Sequence, residues 1–508
     1  MACISTRNRR IAGLFALLTM VMAMAGFLLP AAPAEAQTTT TVFVRRNVAT
    51  LTPAQITSLR KGVQVMKDRS RVNPNDRTGW LYQANMHGIS PVPSPLPPAI
   101  NSCQHGSYFF LAWHRMYLYY FERILRKASG DPNLALPYWN YTDPTQRRLP
   151  TPYRSPASSS NSLYEPARAP GMNSGTASLP ASATSFFAAF TDLGFTSPTG
   201  SGASFGGQRL TAPSHLAQPH GDLERQPHDV IHGLVGGQTG LMSYVTLAAR
   251  DPIFWAHHAN IDRLWKRWLD QGGGRRNPTT DSVWMNTTFT FIDENGQVVT
   301  MKGSQVLNTV TQLSYRYDDD PPAVTPIPLP TPAPIPGAAP EEPRAPELVA
   351  TSSSSPVTLT GKTESVSVPV QQEARPRLAP AFAEVPDTRV ILNIQGIQLE
   401  KQPGVYYEVY VNLPPGAAPD FQSIYYAGNL PFFGFEAHAD HAGPEGGSHS
   451  FDITALAREL KAQNQWNEGN VAVTFVPRGL VGATGQTAAA PQATPPVKVG
   501  KITLTSEE

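Results

Sequence analysis

The stretch NSCQHGSYFFLAWHRMYLYYFERIL, residues 101–125, combines a cysteine, two histidines and a long helical pattern. His105 precedes His114 by nine residues, so at about 100° per residue their side chains would lie on opposite sides of one straight helix. They can share a ligand only if His105 lies in a loop ahead of a helix that begins near Tyr108. Gly106 fits this interpretation because it permits a turn immediately before the helix. The stretch therefore predicts a loop histidine and a helical histidine that converge.

Two further segments carry paired histidines. In PHDVIHGLVGG, His228 and His232 are four residues apart, which on a helix places both imidazoles on one side at a metal-ligand spacing. DPIFWAHHANIDRLWKRW begins with Asp-Pro, a typical helix start, and carries the adjacent His257 and His258. We expect only one of these two to face a common site, because neighbouring helical side chains diverge. Each pair alone is also compatible with partly buried polar histidines, but three such segments together favour a metal site inside a helix bundle.

Length and charge restrict the class of protein. A chain of 508 residues predicts two or three domains, and a formal net charge of +2 with no basic run beyond the first ten residues argues against a nucleic-acid partner. A small-molecule partner is therefore expected.

Residues 1–36 have the pattern of a secretory signal peptide. A positive start, STRNRR, precedes an apolar run and the small-residue site AEA. The apolar run is also long enough for a membrane anchor. We expect cleavage, and a secreted or periplasmic protein with no membrane attachment after signal removal. The pair Arg9 and Arg10 suggests twin-arginine export, but the Sec route is the expectation. Cys3 would leave with the signal, so the exported chain would hold one thiol, Cys103, and no internal disulfide.

Composition divides the remaining chain. Residues 37–318 are rich in aromatics and helical patterns, and residues 319–347 form a proline-rich segment that reads as an extended linker. Residues 348–508 show the alternation of β-strands with one short helix, ITALARELKAQ. The predicted fold is a mainly α domain with a four-helix-bundle core, followed by a small all-β, sandwich-like domain. Within the first domain, residues 155–207 are rich in serine and alanine and are expected to form a long surface insertion.

These motifs resemble those of a known family. CQHGSYFFLAWHRMYLYYFE and PHDVIHGLVGG followed by DPIFWAHHANIDRLW are similar to the two copper motifs of tyrosinases, catechol oxidases and molluscan haemocyanins. YQANMHG resembles the segment that carries the first ligand, and the resemblance extends from VRRNV to SYRYD. RVILNIQGIQLEKQPGVYYEVYVNL and NVAVTFVPR resemble the C-terminal β domain of plant polyphenol oxidases. The paired copper motifs are highly specific.

The resemblance implies a dinuclear copper site with dioxygen as co-substrate. The donor set of neutral imidazoles by itself suits copper or zinc, so copper comes from the resemblance, as does the choice of His258 over His257. His215 and His220 match no motif and are left as surface residues or residues behind the ligands. The implied ligands are His87, His105 and His114 for one ion, and His228, His232 and His258 for the other.

The resemblance also implies roles around the site. Cys103 stands two residues before His105, as in fungal tyrosinases and molluscan haemocyanins where the cysteine forms a thioether to the imidazole; the alternative is a small buried free thiol. Glu224 matches a glutamate that holds a water in plant members, and the alternative is a solvated carboxylate. Asp229 stands where the more active monophenol hydroxylases tend to carry asparagine. Val245 occupies the position of an aromatic gate and would widen the entrance, although it also suits ordinary packing.

The function implied is oxidation of o-diphenols, with monophenol hydroxylation as an additional activity, to o-quinones. The alternative is a haemocyanin-like reversible oxygen carrier; a zinc hydrolase is a further rival. Small phenols or catechols are the expected substrates, and the sequence identifies no copper-delivery partner. In the plant enzymes the β domain covers the copper site, so a plug is expected here from Phe432, Phe433 or Phe435. His438 and His441 are expected to be loop residues rather than copper carriers.

Overall fold

The computed structural model describes residues 41–197, 201–320, 345–352, 356–382, 388–435, 446–482 and 493–507. The predicted signal peptide, residues 321–344 of the predicted linker, His438 and His441 lie outside these described residues. The described chain from Val42 onward forms one compact unit. In the part of the chain that the structure covers, no helix combines the length and apolarity needed to cross a bilayer.

Two of the long helices begin next to a side chain that accepts from a backbone amide of their first turn. Thr52 accepts from the backbone of Gln55, whose side chain accepts from the Thr52 backbone, so the first long helix opens with a capping box. The last long helix begins behind Asp251, whose carboxylate accepts from the Ile253 amide. The α-helices are α1 Pro53–Val72, α2 Trp80–His87, α3 Phe109–Ser129, α4 Thr151–Arg154, α5 Phe187–Thr191, α6 Val230–Gly236, α7 Ile253–Asp270, α8 Ser282–Asn286, α9 Arg375–Leu378 and α10 Thr454–Ala462.

The strands fall into two small ladders in the helical region and two larger sheets beyond it. Phe43–Arg45 (β1) pairs in parallel with Tyr315–Tyr317 (β4), and Thr288–Ile292 (β2) pairs with Val298–Lys302 (β3). The remaining strands are β5 Glu347–Thr351, β6 Val357–Leu359, β7 Glu364–Pro369, β8 Arg389–Leu399, β9 Tyr406–Val411, β10 Tyr426–Leu430, β11 Gly447–Asp452, β12 Asn470–Arg478, β13 Val497–Val499 and β14 Lys501–Glu507. The larger sheets have the orders β10-β9-β12-β7 and β5-β14-β8-β13-β6, with β11 also paired to β8.

The two larger sheets share one core. Val409 and Phe475 from the four-stranded sheet and Leu392 and Ile502 from the other belong to a single buried cluster, which is the arrangement of a two-layer sandwich. A second cluster fills the helical region. The fold class is therefore as predicted, a helical core followed by a sheet-rich region.

The expectation of a surface insertion at residues 155–207 is wrong. Met172 and Phe205 are buried in the helical core. The Arg168 guanidinium makes two bonds to the Asp251 carboxylate, at 2.8 and 2.6 Å, with both side chains fully buried. Low hydrophobicity misled the prediction, because small side chains pack closely and the buried charge of Arg168 is paired.

A buried carboxylate joins the ends of the helical region. Asp262 on α7 bonds to Arg115 of α3 at 2.5 Å and to Arg45 of β1 at 3.2 Å. The hydroxyls of Tyr315 and Tyr317 on β4 each donate to it at 2.5 Å. Burial raises the pKa of Asp262, but the two guanidinium groups lower it more. This network fixes β1 and β4 against the two long helices that carry site histidines.

Described contacts reach both ends of the segment predicted as a linker. Asp319, assigned to the linker, bonds to Arg263 and Arg267 of α7 and so packs with the helical region. At the other end, β5 begins at Glu347, one residue before the predicted β domain.

Candidate metal centre

Three histidines from separate elements form the first group. His87 is the last residue of α2, His114 lies in the second turn of α3, and His105 lies in the loop ahead of α3, as predicted. Gly106 has φ +67° at the turn, and a Cβ there would come within 1.8 Å of the Ala217 carbonyl oxygen. The ring centroids are 5.2 to 5.6 Å apart. The loop ahead of α3 therefore places His105 beside His114, which a single straight helix carrying both residues could not do.

The second group combines an irregular turn with two helices. His228 lies in the turn Glu224–Asp229, in which Gln226 is extended with φ −150° and ψ 121°, and His232 lies in α6. The rings of His228 and His232 are 4.5 Å apart. The Nε2 atoms of His232 and His258 are 3.3 Å apart. The four-residue spacing therefore does bring both imidazoles to one side.

Both members of the adjacent pair on α7 reach this group. One potential ligand atom each of His228, His232, His257 and His258 lies within 4.8 Å of the others. The expectation that only one of the pair would face the site is therefore wrong, since both rings lie within reach of His228 and His232. Their surroundings differ, however. His258 stacks on His114 of the first group at 4.4 Å, whereas His257 approaches the Tyr141 hydroxyl at 3.1 Å.

The site histidines share a hydrogen-bonding pattern. In most of them Nδ1 contacts a protein acceptor, which leaves Nε2 free to bind a metal and fixes the direction of the ring. The acceptors are the carbonyl oxygens of Val245, Phe110 and Met242 for His87, His114 and His232, at 2.9, 2.9 and 2.7 Å, and the carboxylate of Asp229 for His228, at 2.8 Å.

The free ring nitrogens fit metal ions. Within the described residues, no hydrogen-bond partner reaches the buried Nε2 atoms of His87, His105, His114 and His228, and an unpaired buried polar atom is costly unless a ligand completes it. Burial lowers the pKa of His87 to about 3 and that of His105, His114, His228, His232 and His258 well below the usual value. Neutral imidazole is the form that binds metals, so the two groups have the chemistry of a dinuclear copper or zinc site.

Cys103 lies beside the loop histidine. Its buried Sγ is 3.2 Å from Nδ1 of His105 and equally 3.2 Å from Nδ1 of His215. Burial raises the pKa of the Cys103 thiol well above its usual value. His215, which matched no motif, therefore adjoins the predicted crosslink.

Behind the second group lies a buried polar cluster of His220, Glu224 and Asp229. Glu224 is 1% exposed, so the alternative of a solvated carboxylate is wrong. Its carboxylate accepts from the Gly106 amide at 3.0 Å, next to His105, and burial raises its pKa to about 8. Burial alone would lower the pKa of His220, but the interactions with Glu224 and Asp229 outweigh burial and raise this pKa to about 9. One feature of the sequence could have indicated this cluster: His220 precedes Glu224 by four residues, a spacing that brings side chains together on a helical turn.

The residues expected at an entrance or as a plug take positions that the sequence did not specify. Val245 is buried, and its carbonyl oxygen is the acceptor for His87. Of the three candidate plug residues, Phe433 stacks on His232 with ring centroids 4.0 Å apart and planes 19° apart. Phe432 instead belongs to the core of the β-sandwich, and Phe435 packs near His220 at 5.7 Å.

A buried polar network attaches the strand before Phe433 to the turn before His228. The Gln226 side chain accepts from the Asn429 amide at 3.2 Å and donates to the Ser182 carbonyl at 3.0 Å. The Asn429 side chain donates to the same carbonyl at 3.0 Å. Arg225 donates to the Asn429 carbonyl at 3.2 Å. The segment that delivers Phe433 is thus held by the segment that delivers His228.

Three family models match the chain. The common central domain of tyrosinase matches residues 77–199 and 206–271, and the polyphenol oxidase middle domain matches residues 279–325. Residues 345–507 match a domain described as one of unknown function.

Similar proteins cover most of the chain. A tyrosinase of Hahella sp. (strain CCB-MM4) is 30% identical over 507 residues, which span 91% of this chain and 99% of that protein. The chloroplastic polyphenol oxidase of Vitis vinifera is 32% identical over 74% of this chain, a match that spans 62% of the plant protein. Among solved structures, latent apple tyrosinase superposes with a TM-score of 0.62 at 24% identity, over 92% of this chain and 98% of that one. This last likeness supports the fold.

Proposed function

The chain belongs to the tyrosinase and polyphenol oxidase family of type-3 copper oxidoreductases, and on this premise we propose that it oxidises o-diphenols to o-quinones with dioxygen. The observation that carries the proposal is the pair of buried imidazole groups, in which protein acceptors hold Nδ1 of His87, His114, His228 and His232 and leave their Nε2 atoms directed away from those acceptors. That arrangement suits two metal ions side by side.

The proposed ligands are those that the family motif implies. His87, His105 and His114 would hold one copper ion, and His228, His232 and His258 the other. The position of His258 supports its choice over His257, because its ring stacks on His114 and so lies between the two groups. His257 instead directs its Nδ1 toward the Tyr141 hydroxyl.

The chemistry of the metal pair is one part of the proposed reaction. When bound, two copper ions would pass electrons from the phenols to dioxygen, so that two catechols and one dioxygen give two o-quinones and two waters. The protein supplies neutral imidazoles of fixed direction, a site walled by Phe110 and Phe254, and a buried carboxyl group beside the metal pair. A catechol releases two protons on oxidation, and Glu224, which accepts from the Gly106 amide next to His105, is the proposed proton acceptor.

The proposed substrate range depends on Asp229, the residue directly after His228. Asp229 already accepts from His228 and lies 2.6 Å from His220, so both of its oxygens are occupied. A carboxylate occupied in this way is a poor acceptor for the proton of an incoming monophenol. We therefore expect diphenol oxidation to exceed monophenol hydroxylation clearly, with Val245 leaving the entrance open to small phenols.

The same proposal includes latency of the full-length chain. Phe433 lies flat on His232, and it occupies the space next to the ligands that a phenol ring would need. The phenylalanine also lies 5.6 Å from His228 and 5.9 Å from His105, measured between ring centroids. Access for a substrate would then require displacement of the β region, which a cut in the proline-rich segment 321–344 would permit.

The remaining proposals concern maturation and location. The 3.2 Å approach of Cys103 Sγ to the His105 ring supports a thioether between them. The N-terminal pattern supports export to the periplasm or medium, by the Sec route. Small phenols are the proposed partners, with neither nucleic acid nor membrane as a partner after signal removal. No copper-delivery partner is assigned.

One experiment separates the oxidase from a reversible oxygen carrier or a zinc hydrolase. Purified protein is loaded with copper, the metal content is measured, and oxygen consumption is followed with catechol after cleavage between residues 321 and 344. The oxidase consumes one dioxygen for every two quinones formed. A copper protein that binds dioxygen reversibly but leaves catechol unchanged would be a carrier, and a protein that retains zinc but no copper would contradict the family assignment of the metal.

A further inference from the structure

Three buried side chains form a continuous line that begins at His228 of the second histidine group and leads away from it. Nδ1 of His228 lies 2.8 Å from one oxygen of Asp229, and the other oxygen of Asp229 lies 2.6 Å from Nδ1 of His220. Asp229 and His228 are fully buried, and His220 is 1% exposed. The proposed function gives roles to His228 and Asp229, but none to His220.

Asp229 needs a second anchor. It follows His228 directly in sequence, and adjacent side chains diverge in regular helical backbone. Its carboxylate must therefore turn back to reach the imidazole. With one oxygen on His228, the other would be a buried charge without a donor, which is costly. His220 supplies that donor, so the imidazole of His220 determines where the carboxylate points.

The ring of His220 is itself fixed on several sides. Its Nε2 lies 3.0 Å from the side-chain amide of Gln218, and its ring packs 5.7 Å from both Phe435 and His449 of the β region. The Glu224 carboxylate is 3.8 Å from Nδ1. A ring held by these neighbours cannot rotate away from Asp229 without disturbing both regions of the protein.

We propose that His220 is a positioning residue for the second metal ion, because it holds Asp229 against Nδ1 of His228 and so fixes the imidazole that would bind the metal. The proposal rests on the proposed function only in taking His228 as a metal ligand. A carboxylate behind a ligating histidine sets its tautomer and orientation, and loss of such a partner typically lowers metal affinity about 10- to 100-fold. Here Asp229, the partner of the ligand His228, is held in turn by His220.

The test measures copper retention rather than turnover. Copper-loaded wild-type protein, His220→Phe and His220→Gln are titrated with a chelator, and bound copper per chain is measured at each step. Phenylalanine keeps an aromatic ring against Phe435 and His449 but has no donor, whereas glutamine keeps a donor. We expect His220→Phe to release one of its two copper ions at a chelator concentration about 10- to 100-fold lower than the wild type requires. The concentration for His220→Gln should lie between those two values.

A matched control and a double variant make the test specific. His449→Phe removes another buried imidazole next to His220 that does not touch Asp229, so its copper release should match the wild type. In an Asp229→Ala background, His220→Phe should add no further loss, because the two residues act through one contact. Equal loss of both copper ions, full additivity with Asp229→Ala, or wild-type retention in His220→Phe would each overturn the proposal. Copper retention is measured apart from turnover, so a copper-binding chain that leaves catechol unchanged would refute the oxidase and not the role of His220.

Discussion

At the scale of single residues, most site histidines use Nδ1 for a contact with the protein and leave Nε2 for a prospective ligand. His87 and His232 give Nδ1 to backbone carbonyls, which no side-chain substitution elsewhere removes directly. His228 differs, because its acceptor is the side chain of Asp229. Variation at position 229 can therefore tune the second metal ion alone, because in the first group His87 and His114 contact backbone carbonyls and His105 contacts Cys103.

The adjacent histidines of α7 give the sharpest test of the ligand assignment. We expect His258→Ala to lower bound copper and abolish catechol oxidation, since its ring lies between the two groups. His257→Ala should retain two copper ions per chain even if activity falls, because its Nδ1 contacts Tyr141 and not the first group. Metal analysis and oxygen uptake on both variants decide the matter. Full copper and full activity in His258→Ala would refute the assignment.

Asp229 is expected to set the balance of substrates. Asp229→Asn keeps an acceptor for His228 but removes the negative charge, so the ratio of monophenol to diphenol oxidation should change more than the copper content. The ratio is measured with a matched phenol and catechol pair, and copper is measured on the same samples. An unchanged ratio at full copper would mean that this carboxylate has no part in selecting the substrate.

Cys103 is expected to be covalently bonded in the mature protein. Thioether formation replaces one S–H and one C–H bond by a C–S bond, so the copper-matured chain should be lighter than its reduced sequence by two hydrogens. Intact mass spectrometry measures this difference. Rapid labelling of Cys103 by a thiol reagent after unfolding of copper-matured protein would contradict the crosslink, and protein expressed without copper, which should label fully, is the control.

At the scale of secondary-structure elements, Asp262 ties α7 to α3, β1 and β4. Asp262→Asn leaves Arg45 and Arg115 buried beside a neutral partner, and loss of one member of a buried ion network costs about 3–5 kcal/mol of unfolding free energy. The change should appear as a lower denaturation midpoint at pH 7. Asp270→Asn, which breaks a half-exposed contact to Lys266 on the same helix, should have little effect.

The pH dependence of that stability has a definite sign. The guanidinium groups hold the folded pKa of Asp262 below its ordinary value, and the unfolded value is about 3.9. The stabilisation is therefore fully present above about pH 3.9 and is lost as the pH falls through the lower folded pKa. The stability difference between wild type and Asp262→Asn should be constant near neutrality and should shrink in acid. A difference that grew in acid would contradict the ion network.

At the scale of the whole molecule, the β-sandwich contributes one aromatic ring to the histidine site. Phe433 and its neighbour Phe432 point in opposite directions, the first to His232 and the second into the sandwich core. The network that attaches this segment consists of the neutral amides of Gln226 and Asn429 and the buried guanidinium of Arg225, which donates to the Asn429 carbonyl. Salt should therefore have little effect on how firmly the β region is held.

Removal of this ring should activate the enzyme. We expect Phe433→Ala, and separately a cut between residues 321 and 344, to raise turnover of small catechols without changing bound copper, because both open the space over His232. Phe432→Ala is the matched control: it should lower the stability of the β region, as large-to-small core changes do by about 3–5 kcal/mol, and should leave turnover of the folded enzyme unchanged. If Phe433→Ala, with full copper and native stability, is no faster than wild type, the phenylalanine is not a plug.

Local patterns in the sequence determined much of this protein. The four-residue spacing of His228 and His232, the Asp-Pro start of α7, the turn at Gly106 and the alternation of NVAVTFVPR each involve residues a few positions apart. Such patterns report backbone geometry, which is fixed by short-range sterics and hydrogen bonds. The helices, the strands and the histidines that could meet were therefore predictable from the order of the residues alone.

Only the tertiary structure decided which side chains meet across the chain. That Phe433 rather than Phe432 faces His232, that His220 stands behind Asp229, and that both His257 and His258 reach the site depend on how separate elements pack. The burial of Met172 and Phe205 within the serine- and alanine-rich segment 155–207 was equally beyond a composition argument. These outcomes are set by close packing of surfaces far apart in sequence, and no local pattern carries that information.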